Sequence, residues 1–215
     1  MIKTNKKCYL FSMSLTFIGL PLLLWSLNDL PQRTALKDSI SVLTIIAFSL
    51  MLGQFFLART SKNILKDYNL TKALKIHKLI GYIFVPILLA HPFLIIFPRY
   101  FEAGIEPKEA FITLITTFES PGVILGIIAW CLMFILGVTS LLRNKLPIKY
   151  KTWRVIHGIL SIMFILIATR HAIMLGRHMD RAMSICMSIM AAGGILLLLK
   201  TYILKSSKIE GGTNE

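Results

Sequence analysis

Acidic residues are scarce in this sequence: Asp and Glu number 10 against 24 Lys and Arg in 215 residues. The long apolar runs contain essentially none of them, which argues against a proton relay that needs carboxylates inside membrane spans. Cysteine is equally sparse. Cys8, Cys131 and Cys186 stand alone within or at the ends of apolar runs, with no Cys-x-x-Cys pair, so neither a disulfide framework nor a zinc or iron–sulfur site is indicated. Buried structural thiols are the expectation. No low-complexity segment and no long linker divides the chain, and a single domain is expected.

What the sequence has in abundance is apolar length. Hydrophobic residues make up 55 % of it, in runs longer than a soluble core of this size could hide. A helix needs about 20 apolar residues to cross the hydrocarbon layer, and six such runs lie near 8–27, 39–58, 76–97, 121–142, 153–175 and 182–204. The expected fold is an all-α membrane protein, a bundle of six transmembrane helices. The first run follows lysines as a signal peptide does, but it is long and no small-residue cleavage site follows, so it reads as a retained helix.

The formal charge of +14 reports topology rather than nucleic-acid binding, because the charges sort by loop. Lys3, Lys6 and Lys7 precede the first run. Arg59, Lys62, Lys66, Lys72 and Lys75 lie between the second and third, with Arg143, Lys145, Lys149 and Lys151 between the fourth and fifth. The intervening loop carries Glu102, Glu106, Glu109 and Glu119. The positive-inside rule then places both termini in the cytoplasm, with residues 98–120 outside. Within that loop "EPKEAFITLITTF" reads as a short amphipathic helix lying against the membrane or a cofactor. The first helix and its loop occupy 1–38, the main core 39–204, and a polar, disordered cytoplasmic tail 205–215.

Two histidine pairs carry the chemistry. "KIHKLIGYIFVPILLAHPFL" at 75–94 holds His77 and His91, and "VIHGILSIMFILIATRHAIM" at 155–174 holds His157 and His171, each pair fourteen positions apart. Fourteen residues are close to four helical turns, so each pair lies within about 40° of one face and about 21 Å apart along its axis. If the two helices face one another, His77 meets His157 near the inner surface and His91 meets His171 near the outer one. Two imidazoles on facing helices are what a six-coordinate haem iron needs, and a membrane interior favours the neutral, ligating imidazole. Direct zinc binding is not served, because histidines 21 Å apart on one helix cannot share an ion.

Basic residues stand where haem propionates would want them. Lys78 and Arg154 lie near the inner pair; Arg99, Arg170 and Arg177 lie near the outer pair, and an anion-binding role explains that basic outer rim. Helix packing alone is the bland reading of any single intramembrane histidine. Trp25 and Trp153 read as interfacial anchors, His178 as a solvated loop residue or else a contact for an electron acceptor or quinone, and Pro86 and Pro92 as bends in the third helix.

The four histidines, the six runs and the basic-aromatic approach "LRNKLPIKYKTWRVIHGIL" at 142–160 resemble the ferric reductase-like transmembrane domain over roughly residues 40 to 200. That domain is shared by ferric reductases, NADPH oxidases and the haem-binding subunit of the periplasmic methionine sulfoxide reductase system. The resemblance implies two b-type haems, with His77, His91, His157 and His171 in the axial positions. Electrons would pass outward from a reduced flavin, favoured by about 2.3 kcal/mol per 100 mV of membrane potential. Relatives with a flavin domain carry it on the same chain; eleven residues after Leu204 are too few, so a separate FAD or FMN flavoprotein, or a quinol, is the expected donor. The sulfoxide-system subunit commonly lacks the histidine that His77 supplies, which favours a two-haem path over sulfoxide repair. The expectation is a di-haem cytochrome of a bacterial cytoplasmic membrane, in contact with lipid and passing electrons to an external acceptor or periplasmic protein. Its rivals are a quinone-linked subunit with its site around Glu102 to Phe118, and a cofactor-free scaffold or transporter subunit.

Overall fold

The computed structural model describes residues 6–31, 33–58, 70–116, 118 and 120–210. Its helices are α1 (Lys6–Ser14), α2 (Leu20–Ser26), α3 (Ala35–Leu57), α4 (Leu70–Ala103), α5 (Pro107–Thr116), α6 (Pro121–Leu141), α7 (Tyr150–Leu175) and α8 (Arg181–Glu210). Six stretches are long and apolar enough to cross a membrane: Tyr9–Ser26, Ala35–Gly53, Thr71–Ala103, Pro121–Leu141, Tyr150–Leu175 and Arg181–Lys200. The chain is an all-helical, multi-pass membrane protein, as its apolar runs require. The whole of the basic 59–69 segment, residues 211–215, Lys3 and Glu119 lie outside the described residues; α8 continues through the start of the expected tail as far as Glu210.

The first span is not one regular helix. A single π-helical turn, Leu15–Gly19, joins α1 to α2 directly before Pro21, whose ring supplies no N–H for the preceding turn. Phe17, in that turn, is buried and meets Phe56 with ring centroids 5.2 Å apart. Gly53 makes the room: a Cβ there would sit 3.1 Å from Phe17 Cγ.

The closest packing joins α6 to α7 and α3 to α4, with α8 against α3 and α7. The core is built from Leu52, Ile165, Met183 and Met187, all essentially inaccessible. Phe134, Leu166, Ile189 and Leu196 are more than half exposed, and on a membrane-spanning bundle they form the lipid face. The helix expected between α4 and α6 is present as α5. It rests on α4 through Phe111, whose ring stacks on Phe93 at 5.1 Å.

α4 carries Pro86, Pro92 and Pro98 inside its 34 residues. Pro92 removes the donor that the Leu88 carbonyl would have received. One residue on, the Leu89 carbonyl accepts a hydrogen bond from Trp130 Nε1 at 2.8 Å, a neighbouring helix thus serving a proline-disturbed turn. Trp130→Phe is expected to cost about 1 kcal/mol, seen as a fall of about 2–4 °C in the melting temperature of the detergent-solubilised protein.

Candidate functional site

The four histidines occupy matching registers on α4 and α7. On α4 the positions between them at helical spacing are Gly81, Phe84 and Leu88; on α7 they are Ser161, Phe164 and Ala168. Phe84, Leu88, Phe164 and Ala168 belong to one apolar core, which separates the two histidine levels. His77 lies within electrostatic range of His157, and His91 of His171. This is the pairing that the spacing implies.

Neighbouring helices orient three of the four imidazoles. His77 Nδ1 lies 3.2 Å from the Gln54 carbonyl oxygen on α3, and His171 Nδ1 lies 2.8 Å from the Gly122 carbonyl oxygen on α6. A carbonyl only accepts, so both rings carry their proton at Nδ1 and present a lone pair at Nε2, the arrangement of a metal-ligating imidazole. His157 Nδ1 is 3.4 Å from Ser140 Oγ on α6. His91 Nδ1 is buried without a hydrogen-bond partner among the described residues.

Close backbone approach seats His171. Gly122 and Gly126 lie one turn apart on α6, the small-residue spacing that lets membrane helices come together. A Cβ at Gly126 would fall 2.6 Å from His171 Cε1 and 2.7 Å from its Nδ1, so the imidazole occupies the space that glycine leaves.

At the opposite end the 142–160 approach forms an aromatic ladder. Arg143 lies over the Tyr150 ring at 4.4 Å and the Trp153 ring at 5.4 Å. Tyr150 stacks on Trp153, and Trp153 stacks on the His157 imidazole at 4.9 Å and 25°. Trp153 Nε1 donates to the Thr139 carbonyl at 3.2 Å. Trp153 is therefore more than an interfacial anchor: it backs a candidate ligand. Its place four residues before His157, one helical turn away, was the available signal.

The basic residues divide. Lys78, Arg99 and Arg170 are exposed and Arg154 is half-buried. Arg177 donates to the Pro31 carbonyl at 2.7 Å, tying the turn after α7 to the segment before α3. Glu102, expected to frame a quinone site, instead holds Lys37 and Thr34, clasping the end of α4 to the start of α3. His178 is not a solvated loop residue. Both its ring nitrogens are buried, and its ring lies against Trp25.

α4 and α7 are not among the closely packed pairs; α3 and α6 hold them from behind. Among the described residues no three His, Cys, Asp or Glu side chains converge as a metal-holding group. Facing pairs of imidazoles suit a metal whose remaining donors come with a macrocycle, and the orphaned His91 ring and the Nε2 lone pairs of His77 and His171 fit that donor set.

Residues 43–168 match the family described as "Ferric reductase like transmembrane component", a stretch that includes His77, His91 and His157 and stops three residues short of His171. An uncharacterized protein of Archaeoglobus fulgidus is 39 % identical over 172 residues, which cover 80 % of this chain and 93 % of that protein. No solved structure matches. A family match over more than half of the chain, laid across the two histidine-bearing helices, places this protein in the ferric reductase-like transmembrane family, as a multi-pass membrane electron-transfer component.

Proposed function

We propose that this chain is a di-haem b-type cytochrome that carries electrons from a cytoplasmic flavoprotein to an acceptor on the far side of the membrane. The observation that carries the reading is the paired register, His77 with His157 and His91 with His171, with Nδ1 of His77 and His171 each facing a backbone carbonyl. His77 and His157 would hold one haem and His91 and His171 the other. Each haem would supply a one-electron couple, while the protein supplies binding, orientation and a dry surrounding.

The chain's own contribution is positional. Backbone carbonyls of Gln54 and Gly122 fix ring tautomer and angle without adding a titratable group, so the ligands keep one protonation state as the charge on the iron changes. Phe84, Leu88, Phe164 and Ala168 keep water out between the two levels. By the basic loops, the His157 end faces the cytoplasm and the His171 end faces outward. Lys78 and Arg154 at the first end, and Arg99 and Arg170 at the second, would serve the propionates, whereas Arg177, first expected to join them, is taken up by the Pro31 carbonyl.

The test is the reduced-minus-oxidised visible spectrum of the purified protein with haem counted per chain. Sharp b-type bands at about two haems are expected. One haem would leave a single histidine pair in service, and a colourless protein would overturn the reading. Reduction by a flavin reductase with NADH, and not by that nucleotide alone, checks the donor.

A further inference from the structure

Four polar atoms at the His171 end are buried without a hydrogen-bond partner among the described residues: Trp25 Nε1, Arg33 Nε and both ring nitrogens of His178. They come from three separate places: the last turn of α2, the segment before α3, and the turn between α7 and α8. Trp25 and His178 lie with ring centroids 6.1 Å apart and planes tilted by 51°. Arg33, Asp38, Arg177 and Asp180 are all within electrostatic range of His178. Leaving a buried polar group unpaired costs about 1–3 kcal/mol; Arg33 is held by Asp38 and Ser41, so it is the Trp25 indole and the His178 imidazole, side by side, that point to a ligand.

The chemistry of the orphans selects it. An indole N–H only donates, and a neutral imidazole adds one more donor, so the missing partner carries acceptor oxygens. It is not an anion by charge. Arg33 already lies 3.9 Å from Asp38, and Arg177 donates to the Pro31 carbonyl. Asp180 accepts from the Met183 N–H at the start of α8. Two arginines thus stand against two aspartates, with little net charge left for an anion. The tilted aromatic rings favour a flat, apolar body bearing those oxygens.

We propose that Trp25 and His178 form a binding site for a quinone headgroup. Burial, followed by the charges of Arg177 and Arg33, lowers the His178 pKa against the opposite pull of Asp38 and Asp180. The ring therefore stays neutral at ordinary pH, with one nitrogen donating to a carbonyl. The site's use as the electron acceptor rests on the electron path proposed above. Two electrons originating in the reduced flavin of the donor, and two protons from the aqueous phase at this face, convert both quinone C=O groups to C–OH. The flavin is oxidised and the quinone reduced.

The experiment is equilibrium dialysis of menadione, a naphthoquinone without a tail, against the detergent-solubilised holoprotein, with empty micelles as the reference and haem counted on each sample. Saturable binding above the micelle background is expected. His178→Gln and Trp25→Phe should each weaken it about tenfold, the loss of one buried hydrogen bond, with haem content unchanged as the sign of an intact fold. Binding no greater than to micelles, equal binding in both variants, or displacement by inorganic phosphate would overturn the site. Haem without quinone binding leaves the electron path standing and removes the site; quinone binding without haem does the reverse.

Discussion

On the proposed di-haem arrangement, His91→Ala or His171→Ala is expected to lower the haem content from about two to about one per chain, measured as pyridine haemochrome, while the band belonging to the other pair remains. The levels are about 21 Å apart along each helix and are separated by Phe84, Leu88, Phe164 and Ala168. Loss of one ligand pair therefore does not reach the other. The converse variants, His77→Ala or His157→Ala, are expected to remove the complementary haem. If both rings of a pair serve one iron, the double variant His91→Ala/His171→Ala should lose no more haem than either single variant. An unchanged haem count in all four single variants would show that these histidines only pack helices.

Gly126→Val is expected to abolish the same haem without touching any ligand. A Cβ at 126 already meets the His171 ring at 2.6 Å, and two further methyl groups leave the imidazole no way to keep its bond to the Gly122 carbonyl. Overpacking of this kind costs about 1–3 kcal/mol, and α6 and α7 form one of the most extensive helix contacts in the bundle. The variant should lose several degrees of melting temperature together with the spectral band of the His91–His171 pair. Gly81→Ala is the control on the partner helix: a Cβ there meets only Gln54 Nε2, at 3.8 Å, so haem and stability should stay near wild type. Retention of both haems in Gly126→Val would mean that His171 does not need the seat α6 gives it.

Much of this architecture was legible before any coordinates. The long apolar runs can only be membrane helices, because backbone polar groups in lipid must be satisfied within the segment, and six of them appear. The fourteen-residue spacing put each histidine pair on one face, since 3.6 residues per turn is a local property of the helix. The short amphipathic helix in the 98–120 loop was readable for the same reason. The break in the first span was not read, although Pro21 lies inside the 8–27 run, because a membrane helix tolerates a proline with or without a change of helical type.

The chain's own order thus determined what the helices are, which faces carry imidazoles, and that two pairs stand at two depths. These follow from periodicity, which acts over a few residues. Only the tertiary structure decided what other helices hold those imidazoles with: Gln54 behind His77, Gly122 and Gly126 around His171, Ser140 beside His157. It also brought His178 to Trp25, 153 positions apart in the chain, and set Glu102 against Lys37 instead of a ligand. Such contacts depend on how one helix is rotated and shifted against another. Rotation and shift arise from packing between side chains distant in sequence, which no local spacing encodes.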